Sequence, residues 1–229
     1  MATPGIRRCH KQDLLVARIE QSLGVTVGPV ACHIVDQSVM TQVMGKSGWS
    51  RNETMGVVGF QHGKNVYVLD SAPWTVLHEL VHRSGVNADR LNRYIAEGLT
   101  EVISAELASS PDEHKPTYPE ETKWVRDRLL RRLGMTGVQL GGVLAKSRNP
   151  PATLAKLMVE VDPSLDINKL KRQLRPQKTE RPSFNRTQGH ITRGQRGRKT
   201  EVAPEVAMGW TLFAAGSALL LTSWWRGRG

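Results

Sequence analysis

Apolar residues recur at helical spacing near the start of the chain. Over HKQDLLVARIEQS (10–22) and just beyond it, Leu14, Leu15, Ile19 and Leu23 predict one helix, which Gly24 ends. VTVGPVACHIV (25–35) is rich in β-branched residues and predicts a strand. GVVGFQ and NVYVLD flank His62-Gly63-Lys64 and predict a β-hairpin at about 56–70, with the glycine supplying the reversal. A helix is expected next at 73–84, with Ser71 as N-cap and Pro73 in its first turn. Another starts from Asn87 or Asp89 and runs through Ser104. Further helices are predicted at 119–133, 136–147, 151–160 and 166–174, the first opened by Pro119-Glu120-Glu121, which suits the helix dipole. Strands come early and helices dominate later, so the expected fold class is α+β.

The charge is distributed very unevenly. The 229 residues carry a formal net charge of +11, yet residues 1–166 hold 19 basic against 18 acidic side chains. Residues 167–200 hold 11 basic residues and Glu180 alone on the acidic side. That stretch has almost no apolar periodicity and is broken by Pro176, Pro182, Gly189, Gly194 and Gly197, so 167–205 is expected to be a flexible basic linker. Residues 206–225, VAMGWTLFAAGSALLLTSWW, contain no formal charge. A helix of that length spans about 30 Å, the thickness of a bilayer core, and Trp210, Trp224 and Trp225 sit where interfacial aromatics belong. The expected organisation is therefore a domain at 1–166, a linker at 167–205 and a C-terminal transmembrane anchor at 206–225. The positive-inside rule places the domain on the cytoplasmic side, and the linker charges would attract anionic headgroups. The N-terminus shows no secretory signal. An ordinary share of apolar residues, 39%, excludes a wholly disordered chain. Two cysteines, Cys9 and Cys32, exclude a disulfide framework and a cysteine metal cluster, while one disulfide and two thiols fit equally well.

The chemistry concentrates in TVLHELVHRSG. His78 and His82 are four apart, so on a helix both imidazoles face one side and can reach one metal ion, with Glu79 beside them. With 7 histidines and 13 glutamates in 229 residues, His-Glu-x-x-His arises by chance about 0.01 times in a chain of this composition. A second pair, Glu97 and Glu101 in RYIAEGLTEVIS, is again spaced four apart on the following helix.

In these two segments the sequence resembles the gluzincin branch of the zincin metallopeptidases, in which His-Glu-x-x-His on one helix is completed by a glutamate on the next. The resemblance covers about residues 55–108. It implies a zincin-like domain with Zn²⁺ bound by His78, His82 and Glu97, and with Glu101 holding a ligand histidine, His78, by its other ring nitrogen. It also implies that the hairpin supplies an antiparallel edge strand above the site, against which a peptide substrate lies extended. Glu79 would take a proton from a water whose pKa the zinc lowers from 15.7 toward ~7, and return it to the leaving amine. Two features depart from the family pattern: Arg83 follows the second histidine where an uncharged residue is usual, and the interval from His82 to Glu97 is short. Tyr94, His114 and Tyr118 lie within chain reach for stabilising an oxyanion, and none is assigned that role.

The function expected from these features is a membrane-anchored zinc metallopeptidase acting on peptide or protein substrates. The alternative of another class is a catalytically silent zincin-like assembly protein with a hydrophobic tail. Nucleic-acid binding by the basic segment is the weakest reading, because Phe184 is its only aromatic and base-stacking surfaces are missing.

Overall fold

The computed structural model describes residues 6–50, 54, 56–86, 90–176 and, for the backbone, 189–193. The predicted anchor at 206–225 and the helix starts at Asn87 or Asp89 lie outside these residues. No described helix is long and apolar enough to cross a membrane.

The fold is α+β. Five strands, β1 (Ile6–Arg8), β2 (Ala31–Val35), β3 (Val57–His62), β4 (Asn65–Leu69) and β5 (Gly189–Arg193), form one sheet in the order β1-β2-β4-β3-β5. β2 and β4 run parallel from Ala31↔Asn65 to Val35↔Leu69, and the other pairs are antiparallel. Side chains alternate across the strands. Cys32, Val66 and Val68 point into a large helical core, while Val35, Phe60 and Leu69 point into a smaller one with Met40 and Met44.

Those methionines come from α2 (Gln37–Lys46), a helix the apolar pattern did not predict. It covers the second face of the sheet and is capped by Asp36, whose side chain accepts from the Val39 amide at 2.8 Å. The short strand β1 was likewise not expected. The predicted strand at 25–35 is regular only from Ala31, after a turn at Gly28 with φ of 74°.

On the other face lie α1 (Gln12–Leu23), α3 (Thr75–Arg83), α4 (Arg93–Leu107) and α6 (Gly137–Lys146). Gly24 ends α1 in the left-handed conformation, φ 62°, as the sequence implied. Ser71 does not cap α3. The Ala72 and Pro73 carbonyls take the Thr75 and Val76 amides instead, and the helix starts at Thr75. The cap of α4 is Asn92, whose side chain accepts from the Tyr94 amide at 3.0 Å. Pro119–Trp124, a π-helical turn at Val125–Leu130 and Arg131–Leu133 run on as α5, which presses close against α4. Gly98 makes that approach feasible, since a Cβ there would fall 2.5 Å from the Glu121 carbonyl oxygen. α6 begins with a reciprocal capping box between Thr136 and Gln139, and α7 (Pro150–Val161) with Asn149 before Pro150.

Two expectations about the C-terminal part are corrected. The packed domain does not stop at 166: Ile167–Gln173 forms α8, with Leu170 and Leu174 buried in the main core, and the Asn92 amide bonds the Leu174 carbonyl at 2.8 Å. Nor is the whole basic stretch a flexible linker, because β5 pairs with β3 over Val57 to His62. The hairpin is therefore not the sheet edge, and the outer side of β3 is covered by the chain itself.

Cys9 and Cys32 form a disulfide that joins the β1–α1 junction to β2, with their Cα atoms 5.4 Å apart. Of the two states the sequence left open, the thiols are paired, and the Cys9 amide also bonds the Cys32 carbonyl at 3.1 Å.

Candidate metal centre

α3 runs through the middle of the molecule. All residues from Thr75 to His82 are buried, so its polar members His78, Glu79 and His82 must find partners inside the protein. The i, i+4 spacing puts both imidazoles on one face, with ring centroids 4.7 Å apart. α4 crosses that face and brings Glu97, which is fully buried, to both rings. His78 Nε2 and His82 Nε2 are 3.0 Å apart, and each is 3.3 Å from Glu97 Oε2.

These three donors could hold a metal ion. A tetrahedral ion with bonds of ~2.0–2.1 Å separates its ligand atoms by about 3.3 Å, the spacing of each imidazole from Glu97, while the two imidazole nitrogens stand slightly closer at 3.0 Å. The outer ring atoms are held as metal-ligating histidines require. His82 Nδ1 lies 2.8 Å from the Val86 carbonyl and 3.3 Å from Thr100 Oγ1. His78 Nδ1 lies 3.2 Å from Glu101 Oε1. When each ring carries its single proton on Nδ1, both Nε2 atoms present lone pairs to the same point. Arg93 Nε stands 3.5 Å from the other Glu97 oxygen, Oε1, and orients that carboxylate.

Glu101 is the hub of a longer chain. His114 Nε2 sits 2.6 Å from its Oε2, and the Thr117 amide donates to Oε1 at 3.2 Å. Burial alone would raise the Glu101 carboxyl, but the bonds from His114 and His78 outweigh it and hold it at about 2. For His78, burial opposes the charged ring, and the bonds to Glu101 and Glu97 overcome it, lifting the imidazole to about 10 when no metal is bound. The ring system thus carries a proton at neutral pH that a metal ion would have to displace.

Tyr118 completes the surroundings. It is fully buried, and its ring stacks on His78 at 5.6 Å with planes 19° apart. Of the three residues considered for the oxyanion, Tyr118 and His114 thus belong to the neighbourhood of the centre. Tyr94 packs edge-on against Trp124, with ring centroids 6.0 Å apart. Arg83 turns away from the centre: its guanidinium donates to the Gly63 carbonyl at 2.7 Å and braces the hairpin turn.

Glu79 lies outside the donor trio, is fully buried, and faces β3. Gly59 of β3 is what admits it. A Cβ there would lie 2.8 Å from Glu79 Cδ and closer still to Oε1. The strand carries a bulge at this point, between Val57 and Gly59, a device common beside active sites. Sequence reasoning did not single out Gly59 or Arg93. For Gly59 the available signal was a glycine inside a strand, which marks a close backbone approach.

Comparison with known proteins finds no match: no family model, no curated protein and no solved structure matches the chain.

Proposed function

We propose that the protein is a zinc-dependent metallopeptidase of the gluzincin type, tethered to a membrane through residues 206–225. The observation that carries the proposal is the convergence of His78 Nε2, His82 Nε2 and Glu97 Oε2 on one point; Glu79, next in sequence to His78 on the same helix, is fully buried with its carboxylate against Gly59 of β3. Two neutral imidazoles and one carboxylate, spaced for a tetrahedron, are a donor set that suits zinc and leaves a position open.

A zinc ion held there would supply Lewis acidity and bring the pKa of a water from 15.7 toward ~7. The protein's own groups do the rest. Glu79, next in sequence to a ligand yet not one itself, takes the proton from the attacking water and delivers it to the leaving amine. Glu101, steadied by His114 and the Thr117 amide, fixes the tautomer and the orientation of His78. The Val86 carbonyl and Thr100 do the same for His82.

The test uses the full chain loaded with zinc and incubated with a mixture of unstructured peptides, with products read by mass spectrometry. Cleavage is expected, lost on chelation and restored by zinc. A protein with stoichiometric bound zinc that cleaves no peptide would be incompatible with the proposal.

Gly59→Ala is a sharper probe of geometry. The new methyl group displaces the Glu79 carboxylate and leaves the three ligands where they are. Misplacing a catalytic group by about 1 Å can cost ~100-fold, so kcat is expected to fall at least about tenfold with bound metal unchanged. Unaltered kcat would mean that Glu79 has room the structure does not give it.

The side of the membrane is set by two opposing signals. The charge flanking 206–225 favours the cytosolic side, whereas a disulfide such as Cys9–Cys32 is chemistry of an oxidising compartment.

A further inference from the structure

β3 is the strand that touches the catalytic carboxylate. Gly59 lies against Glu79, and β4 pairs with β3 on one side only. The other side of β3 is a row of backbone donors and acceptors that runs past Gly59, where the strand meets Glu79. In an isolated hairpin such a row is an open edge, able to take any extended chain by strand addition. Here it is taken by β5, antiparallel, with Gly189 opposite His62, His190 opposite Gln61, Ile191 opposite Phe60 and Thr192 opposite Gly59. Neighbouring strands lie ~4.8 Å apart. The backbone around Thr192 is therefore the nearest chain beyond β3 to the point where Gly59 meets Glu79. The bulge falls at the same place, between Val57 and Gly59, paired with Arg193 and Thr192.

The resemblance to zincins implies that a peptide lies along the edge of this strand; we infer that residues 189–193 occupy that edge in cis and compete with it. Occupancy by the chain's own segment makes the site self-limiting. A substrate peptide must displace β5 and then lies as β5 does, extended and antiparallel to β3, with one residue opposite Gly59. The segment that competes comes from the basic stretch between the packed domain and the apolar tail, so whatever draws that stretch away opens the site. The occupancy rests on the proposed peptidase site for its meaning, but it can be measured without cleavage.

The experiment compares the full chain with a His190→Pro/Ile191→Pro double variant. The two adjacent prolines remove both a β3-facing amide and its neighbour, whichever of them bonds to β3. Both proteins carry Glu79→Gln to prevent turnover and are loaded with zinc. The probe is a fluorescein-labelled synthetic peptide spanning residues 187–195, followed by anisotropy. The proline variant is expected to bind it at least about tenfold more tightly than the chain with an intact β5. Equal binding, or none in either protein, would overturn the inference. A second measurement needs no variant: in the chain with an intact β5, the β3 amides that point away from β4 should exchange slowly with solvent, and rapid exchange there would overturn it as well. Failure of the peptidase proposal looks different. In that case the binding difference persists, while the chain that keeps Glu79 and carries the same two prolines cleaves nothing.

Discussion

For the proposed peptidase, replacing Glu79 with glutamine is expected to reduce peptide cleavage about a thousandfold and to leave bound metal unchanged. Glutamine has the shape of glutamate, so it fits the buried slot beside Gly59 without the repacking that alanine would cause. It cannot accept a proton from water at any working pH. Because Glu79 lies outside the trio of His78, His82 and Glu97, metal stoichiometry should be unchanged. General acid–base catalysis is worth ~10²–10⁴ in rate, so kcat is expected to drop about a thousandfold. Steady-state turnover and bound-metal analysis on the same sample check both halves. A variant that keeps full activity would show that another group moves the proton.

Removing the metal is expected to destabilise the domain strongly, and in a pH-dependent way. A ligand that binds only the native state at ~1,000 times its Kd adds about 4 kcal/mol. At ~2–4 °C of melting temperature per kcal/mol for a chain of this size, chelation should lower Tm by about 8–16 °C. The sign of the pH effect follows from His78. Its imidazole in the metal-free protein is raised to about 10 by Glu101 and Glu97 against the cost of burial. A group with a raised native pKa contributes stability in full below its unfolded value, near 6.5, and loses it as pH climbs through about 10. The chelated protein should therefore weaken across that interval. In the loaded protein the metal has replaced the proton, and binding becomes easier by about tenfold per pH unit as the competing proton is released. The gap between loaded and chelated melting temperatures should thus widen from pH 6.5 upward. Differential scanning calorimetry with and without chelator at several pH values measures it. A chelator that leaves Tm unmoved at every pH would rule out a resident metal.

The elements that sequence anticipated best are those bounded by local chemistry. Gly24 at the end of α1, the Thr136–Gln139 box and the Asn149-Pro150 start all act within one helical turn. The two i, i+4 pairs of the centre were legible for the same reason. Once α3 and α4 are helices, His78 must lie over His82 and Glu97 over Glu101, whatever surrounds them. α2 escaped because its buried residues are few, Met40 and Met44, and its start signal, Asp36, stands alone.

What the sequence by itself determined is therefore a set of local constellations: the two imidazoles on one helix, the two carboxylates on the next, the hairpin with its glycine turn, and a basic stretch set apart from a nearly neutral domain. What only the tertiary structure decided is which constellations meet. Glu101 is joined to His114 across thirteen residues, Tyr118 stacks on the His78 ring forty residues earlier, Gly59 yields to Glu79, Cys9 pairs with Cys32, and residues 189–193 come back to lie on β3. The physical reason is that helical periodicity is fixed by backbone geometry over four residues. Contacts between distant segments depend on how whole faces pack, and two faces can be read from a chain long before the way they meet can be.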